Sequence, residues 1–190
     1  MLSLPRILLL IAPLGLLSCG AGERDPVADA KFENGQRIER EDVTKRQEQD
    51  ADFVVEAATG SSFGAALGQL ATRQASSPAL RTFGQQLQRD AGQLGGALRT
   101  LATQKSLTLP EGLSGRQQDA IDELTRLRGA AFDKELLEVA TDYLDDAQDA
   151  FDDMADDAYD GDIRGVAAKY APTLKSHYER ADELQDQLPK

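Results

Sequence analysis

Four leucines recur at strict seven-residue intervals near the middle of the chain, namely Leu80, Leu87, Leu94 and Leu101. Phe83, Ala91 and Leu98 fall between them, so apolar residues lie three or four positions apart along the stretch. This spacing indicates an α-helix with one buried face, because a strand would alternate every second residue. The segment is therefore predicted to be a long helix, ending near Lys105, whose apolar stripe is one seam of a helical bundle.

Helical spacing continues through the rest of the chain from about Asp50. It predicts helices over 50–75, 78–105, 114–128 and 130–159, and a last helix after Gly161. Ser77 is expected to cap the second of these helices, with Pro78 in its first turn. Pro172 lies inside the last pattern and is expected to kink that helix or to split it after Tyr170.

The lengths of the predicted connections indicate how the helices are arranged. Short links join the first two and the last two long helices, so the members of each pair are expected to be antiparallel neighbours. A longer connection, which contains the short helix, separates the two pairs. The expected fold class is all-α, an antiparallel four-helix bundle with an extra short helix. The seam expected on the helix over 130–159 is Phe132, Leu136, Val139, Tyr143, Ala147, Phe151, Met154 and Ala158.

Cys19, the only cysteine, follows the apolar segment Ile7–Leu17, which itself follows the basic Arg6. This layout is typical of an export signal, and the apolar segment is too short to span a bilayer. The run Leu16-Leu17-Ser18-Cys19-Gly20 resembles the lipobox of bacterial lipoproteins, which implies that the Cys19 sulfur takes up diacylglycerol and its freed amine is acylated. Three acyl chains would hold the protein at a membrane. The alternative is an ordinary secretory signal whose cysteine is incidental.

The expected organisation has three parts. Residues 1–18 are the lipoprotein signal peptide, 19–49 the lipidated cysteine and a flexible charged tether, and 50–190 the helical bundle domain. The tether is predicted because its few apolar residues are too scattered to form a buried face. With Gly20 rather than Asp after the cysteine, the run resembles the sorting pattern of two-membrane bacteria, and this resemblance implies the outer membrane. The chain has 33 acidic and 21 basic side chains, a balance that argues against binding to nucleic acid.

Several phrases along the domain occur in an order and spacing typical of one family. They are Leu67-Gly68-Gln69-Leu70-Ala71, Ser77-Pro78 with Phe83 after it, Leu109-Pro110, Gly129-Ala130-Ala131-Phe132-Asp133, and Tyr170-Ala171-Pro172-Thr173-Leu174 followed by His177. The set resembles the domain of unknown function 4142 family, a ferritin-like group of bacterial envelope proteins, over about Asp50 to Leu184. The resemblance implies a ferritin-like bundle in the periplasm and brings no established reaction.

The chain departs from that family pattern at three polar positions. The family usually places a Glu where this chain has Gly64, and histidines where it has Ala91 and Leu144. His177 is the one polar position of the four that remains. If these positions form a metal or proton-handling cluster in relatives, this chain has lost most of its contributors.

His177 is the only histidine, and helical spacing places it on the buried face of the last helix. A buried imidazole needs a hydrogen-bond partner, which is expected to be a carboxylate or a backbone carbonyl across the bundle. Asp90 and Asp146 are the hypothesis for a carboxylate partner. Three roles of His177 are considered: a structural histidine, a metal ligand, and a catalytic acid or base. The Glu-x-x-His turn of di-iron bundles is absent, because Leu174 lies three residues before His177. No cofactor is expected.

The stretch from Asp142 to Asp162 holds ten aspartates and no basic residue. Like charges three and four residues apart repel each other along a helix. The candidate cation-binding surface consists of Asp149, Asp152, Asp153, Asp156 and Asp157. The alternatives are a solvated face and a docking surface for a basic partner. The spacing is not that of an EF-hand loop.

Glycines recur on the first two predicted helices, at Gly60, Gly64 and Gly68 and then at Gly84, Gly92, Gly95 and Gly96. Glycine destabilises a helix by roughly 1 kcal/mol relative to alanine, so the pattern indicates close packing between helices. A ligand lying over the glycines is the alternative.

No sequence motif of an enzyme or of a nucleic-acid-binding domain is present. The expected function is that of a non-enzymatic, lipid-anchored periplasmic bundle that acts by protein interaction in envelope maintenance or stress tolerance. The alternative is a ferritin-like protein that binds a cation or small ligand through His177 and carboxylates. The expected partners are the membrane, through the lipid anchor, an unknown protein and divalent cations.

Overall fold

The computed structural model describes residues 25–38 and 45–188 of the chain. Within these residues the regular secondary structure consists of α-helices with no strand, which confirms the all-α prediction. The helices are α1 (Pro26–Ile38), α2 (Lys45–Gln74), α3 (Pro78–Lys105), α4 (Gly115–Arg126), α5 (Gly129–Asp157) and α6 (Gly161–Asp186). The predicted Cys19 lipidation site and signal peptide lie outside the described residues.

The ends of the helices follow from local capping residues. The Ser77 side chain caps α3, because its oxygen accepts a hydrogen bond from the backbone N–H of Leu80 at 3.0 Å, and Pro78 is in the first turn. Ser114 caps α4 through a capping box with Gln117. The backbone of α6 stays helical through Pro172, so the predicted split after Tyr170 is wrong. Pro172 is exposed there, and the carbonyl that it leaves unpaired can be hydrated.

The four long helices form two hairpins, α2 with α3 and α5 with α6. In addition, α2 packs against α5 and α3 against α6, while α1 packs on α2, and α4 contacts both α2 and α5. The leucines at seven-residue intervals on α3 all lie in the core, with exposures of 3% or less. The periodicity of the sequence thus identifies the buried face of α3 correctly.

The buried face of α5 differs from the predicted seam. Leu137, Ala140 and Leu144 are fully buried although the seam omitted them. Val139, Tyr143, Ala147 and Met154, which the seam included, are half-buried. The difference arises because α5 packs against α6 and α2 at once, so its buried surface is wider than a single stripe.

The prediction of a flexible tether over 19–49 is wrong for Pro26–Ile38, which form α1, and α2 begins before Asp50. Asn34 on α1 is 2% exposed. Its amide donates to the Thr108 carbonyl at 3.0 Å, and its Oδ1 accepts from the Thr108 backbone N–H at 2.9 Å. A buried side-chain amide therefore holds α1, and apolar periodicity gives no sign of such a contact. The remaining residues of the expected tether are described only over 25 and 45–49.

Two buried aspartates join the hairpins at opposite ends of the bundle. Asp50 on α2 accepts hydrogen bonds from the backbone N–H groups of Tyr159 (3.1 Å) and Asp160 (2.6 Å) in the α5–α6 turn. Asp133 on α5 accepts from the backbone N–H of Ser76, in the α2–α3 turn, at 2.9 Å. The two caps occupy equivalent positions in the two hairpins, because Asp133 lies 83 residues after Asp50 and Tyr159 lies 83 residues after Ser76. Each hairpin thus supplies the carboxylate that caps the turn of the other.

An ion-pair network lies beside the Asp50 end. The Lys105 ammonium donates to Asp160 at 2.6 Å and to Asp162 at 2.7 Å. Partial burial alone would raise the pKa of Asp160, but hydrogen bonds from Lys105 and from two backbone N–H groups lower that pKa below its ordinary 3.8. The hydrogen bonds to Asp160 and Asp162 raise the pKa of Lys105. The end of α3 is therefore tied to the start of α6.

Helices α2 and α3 approach closely where two glycines face each other. A Cβ atom built on Gly68 would lie 2.5 Å from the Gly84 carbonyl oxygen, and one built on Gly84 would lie 2.8 Å from the Gly68 carbonyl oxygen. The Ala71 methyl group would also collide with a side chain at Gly84. These two glycines are therefore required by helix packing, as the glycine pattern predicts.

We expect Gly84→Ala to destabilise the protein by about 1–3 kcal/mol, because α2 and α3 must separate to admit the methyl group. Gly92→Ala is the matched control, since a Cβ built there meets nothing within 4 Å. It should stabilise the protein by up to about 1 kcal/mol through helix propensity. Urea denaturation measures both changes, and a stability change of the same sign in the two variants would contradict the close contact.

We expect Asp50→Asn to destabilise the protein by about 1–3 kcal/mol, because an amide can accept from the turn through one oxygen only and brings an NH₂ group against backbone donors. Asp52→Asn, two residues along the same helix, removes the same charge and should change stability by less than about 0.5 kcal/mol. Thermal unfolding followed by circular dichroism measures the difference. Equal melting temperatures for the two variants would argue against the cap.

Candidate functional site

The structure brings His177 and Asp90 together across the interface between α6 and α3. The His177 side chain donates from Nε2 to Asp90 Oδ2 at 3.0 Å, the tautomer being the one that a carboxylate acceptor requires. His177 is 8% exposed and Asp90 is half-buried. A carboxylate that accepts from an imidazole fixes the orientation of the ring and leaves the other ring nitrogen free to act as an acceptor.

The positions of these two residues follow from the helix faces. His177 lies between the buried Leu174 and Ala181 on α6, and the edge of the Phe83 ring packs against it with centroids 6.1 Å apart. Asp90 immediately precedes the buried Ala91 on α3, so it lies at the margin of the leucine seam. Of the two aspartates proposed from the sequence as partners, Asp90 makes the contact.

A polar groove opens on the solvent side of this pair. Arg89 and Arg180 flank it, and Gln86, Thr173 and Ser176 add further hydrogen-bonding groups. Arg180 also binds Glu183, with Nη1 and Oε2 2.8 Å apart. Two guanidinium groups beside an imidazole and a carboxylate suit a small polar ligand that carries an acceptor group. Sequence reasoning missed both arginines, because neither belongs to a motif.

A small cavity lies on the inner side of the pair, bordered by Leu87, Ala91, Tyr143, Tyr170 and His177. Its free space of about 10 Å³ is close to the minimum that one water molecule needs. Burial raises the pKa of Tyr143 above the usual tyrosine range, so its hydroxyl stays protonated. The cavity has a mostly apolar lining, with the Tyr143 hydroxyl, the Asp90 carboxylate and the imidazole among its polar groups.

Tyr143 fills the gap left by two glycines of α2. A Cβ atom built on Gly64 would lie 3.0 Å from the Tyr143 hydroxyl oxygen and 3.4 Å from the Ala91 Cβ, and one built on Gly60 would also meet the Tyr143 ring. Positions 64 and 91, two of the three at which the resemblance led us to expect polar residues, are thus neighbours, and position 91 shares a cavity with His177. Leu144 does not line this cavity. The sequence analysis placed Tyr143 only in the apolar seam of α5. The four-residue spacing of Gly60 and Gly64 was the available sign that a large side chain packs against α2 at this point.

Asp146, the other proposed partner of His177, lies in a different place. It lines a cleft between α2 and α5, together with Glu56, Phe53, Ala147 and Phe151. Phe53 and Phe151 meet edge to face with ring centroids 4.9 Å apart. The sequence reasoning gave no indication of this cleft, because its walls come from residues about 90 positions apart that only the packing of α5 on α2 brings together.

The five aspartates of the proposed acidic surface, Asp149, Asp152, Asp153, Asp156 and Asp157, are all exposed on α5. Over residues 25–38 and 45–188, no salt bridge involves any of them. Within the same residues, no group of three or more His, Cys, Asp or Glu side chains is arranged to hold a metal ion. The Asp90–His177 pair supplies two such groups. Cation binding at the acidic surface stays a prediction.

None of the helices in the described part of the chain is both long enough and apolar enough to cross a membrane. The proposed anchor, Cys19, precedes the first described residue.

Comparison with known proteins identifies one family. The model of the family described as "Domain of unknown function (DUF4142)" matches residues 37–184. That span includes α2 to α5 and nearly all of α6, with His177, Asp90 and the acidic surface. Neither the curated proteins nor the solved structures gave a match.

Proposed function

Since the chain belongs to the DUF4142 family, we propose that it is a non-enzymatic, lipid-anchored helical-bundle protein of the bacterial envelope that acts by binding a partner protein. In this proposal the lipid on Cys19 holds the bundle at the periplasmic face of the outer membrane. The bound partner serves envelope maintenance or stress tolerance. The lipobox-like run that ends in Cys19-Gly20 supports the anchor.

The proposed architecture is an antiparallel, ferritin-like four-helix bundle. Two helical hairpins with three-residue turns, and the packing of each long helix against two others, support it. The short helix α4, in the connection between the hairpins, is the extra element. This arrangement leaves one long side of α5 open to solvent.

The acidic surface of α5 is the observation that carries the proposed function. Its aspartates are close to one another at three- and four-residue spacing, and α5 has no basic residue in its last turn. Repulsion between the like charges, and their unfavourable position near a helix C-terminus, both destabilise the free protein. A basic partner surface would remove this destabilisation on binding, and it would also accelerate the encounter.

The local environment decides whether an aspartate of this acidic stretch contributes to the fold. Asp160 and Asp162 belong to the same acidic stretch, yet both bind Lys105 and contribute to the fold. The five surface aspartates have no comparable role in packing, because their side chains are exposed. Charge complementarity to a partner explains why a helix would carry them, and it makes the interaction sensitive to salt.

We expect the replacement of the five surface aspartates by asparagine to abolish complementation of a deletion strain under envelope stress, while the protein stays folded and in the membrane fraction. The matched control neutralises five other exposed acids, Asp119, Glu123, Glu179, Asp182 and Asp186, and changes the net charge equally. The control should complement like the unmodified chain. Full complementation by the surface variant would contradict a role for this surface.

Cys19→Ser tests the anchor separately. We expect this variant to move from the membrane fraction to the soluble periplasm and to lose complementation, because the acyl chains supply the membrane affinity. Mass spectrometry of the membrane-bound protein should find the lipid on Cys19. A Cys19→Ser variant that remained in the membrane and complemented would argue against anchoring at this residue.

A second candidate function is the binding of a small polar ligand or cation at His177. The hydrogen bond between His177 and Asp90, at 3.0 Å and open to a groove, favours it. The flanking Arg89 and Arg180 oppose cation binding by charge repulsion, so a ligand with acceptor groups fits better. Carboxylate, phosphate and amide groups belong to this class.

Elemental analysis of the purified full-length chain separates the cation from the other ligands. Because the pair supplies two metal-binding groups and two arginines lie beside it, we expect less than one equivalent of any metal. We expect His177→Ala to leave that content unchanged. Stoichiometric metal that disappears in His177→Ala would instead assign a cation site to this pair.

A further inference from the structure

The cleft between α2 and α5 is a second possible binding site, separate from the groove at His177. Its floor is formed by the buried side chains of Phe53, Ala57, Leu94 and Phe151, and Glu56 and Asp146 lie at its rim. None of the five aspartates of the acidic surface lines it. Binding in the cleft is therefore independent of the proposed binding of a partner protein at the acidic surface.

The size and the walls of the cleft suit a small aromatic group. The cleft measures about 210 Å³, and a protein cavity of roughly 150 Å³ accommodates benzene. Phe53 and Phe151 already meet edge to face, with centroids 4.9 Å apart, and a third ring can pack against them in the same manner. Gly60 lines the cleft without a side chain, and the Tyr143 ring, which packs on Gly60, forms the wall of the cleft at that end.

The charges around the cleft decide which aromatic compounds fit. Glu56 forms an ion pair with Lys31 of α1, so its charge is already balanced. Over the residues that the structure describes, Asp146 makes no hydrogen bond or ion pair, and it is exposed at the rim. Among the described residues, no lysine or arginine lines the cleft. The apolar floor is thus combined with one uncompensated negative charge at the entrance.

We propose that this cleft binds a small hydrophobic cation, an aromatic ring carrying a short alkylammonium group. The ring packs on Phe53 and Phe151, and the ammonium group pairs with the Asp146 carboxylate. Gln117 of α4, at the edge of the cleft, offers an amide oxygen as an additional acceptor.

The test compares three probes of the same shape and different charge on the full-length chain. Isothermal titration calorimetry measures the binding of 2-phenylethylammonium, 2-phenylethanol and 3-phenylpropionate. The ammonium probe should bind most tightly and the carboxylate least. Equal affinities for the three probes, or no binding of the ammonium probe, would overturn the proposal.

Two variants locate the site. Asp146→Asn should weaken binding of the ammonium probe about threefold to fivefold, the effect of one exposed ion pair, and leave binding of the alcohol unchanged. Asp153→Asn is the matched control, an exposed aspartate of the same helix outside the cleft, and it should have little effect. If the two variants weaken binding equally, the ammonium is attracted by the net charge of the protein and the proposal fails.

Ala150→Phe tests the apolar part of the site. Ala150 is exposed and lines the cleft, so a phenyl ring at this position can fill the cleft from the rim without entering the core. Binding of the ammonium probe should be lost while the melting temperature stays close to that of the unmodified chain. Unchanged affinity in this variant would place the probe elsewhere and overturn the proposal.

Discussion

The two reciprocal carboxylate caps are the interaction on which the rest of the structure depends. Burying a carboxylate without hydrogen-bond donors is very unfavourable. Asp50 and Asp133 avoid this cost only when each reaches the backbone N–H groups at the turn of the opposite hairpin. Because the two caps join the hairpins at opposite ends, together they fix the distance between the hairpins and their displacement along the bundle axis. Apolar seams alone would tolerate sliding, since leucines at regular spacing pack nearly as well after a shift of one heptad.

The register that the caps impose determines which residues meet at the candidate sites. It places Asp90 of α3 opposite His177 of α6, so that a carboxylate and an imidazole 87 residues apart in the sequence share a hydrogen bond. It also places Tyr143 of α5 against the glycines of α2. The interface between α2 and α5 is incompletely filled next to Tyr143, and the unfilled part is the cleft between these two helices.

Three groups of aspartates in the described part of the chain differ in what they contact, and their surroundings decide the difference. Asp50 and Asp133 are buried caps, whereas Asp160 and Asp162 bind Lys105 at the end of the bundle. The aspartates along the exposed side of α5 contribute neither to packing nor to an ion pair in the described part of the chain. The excess of 33 acidic over 21 basic side chains therefore includes charges that the fold itself does not use. The proposed binding of a partner rests on those charges.

The sequence by itself determined the helices from α2 to α6, because apolar periodicity, Ser caps and glycine breaks act over a few residues. It identified the leucine face of α3 and the buried position of His177, and it included Asp90 among two possible partners. Only the tertiary structure decided between Asp90 and Asp146, replaced part of the expected tether by α1, and revealed the cleft at Asp146. These outcomes depend on contacts between residues 57 to 110 positions apart, such as those of Asp50, Asn34 and Asp133. Local patterns carry no information about such contacts, since they form only when the hairpins adopt one register.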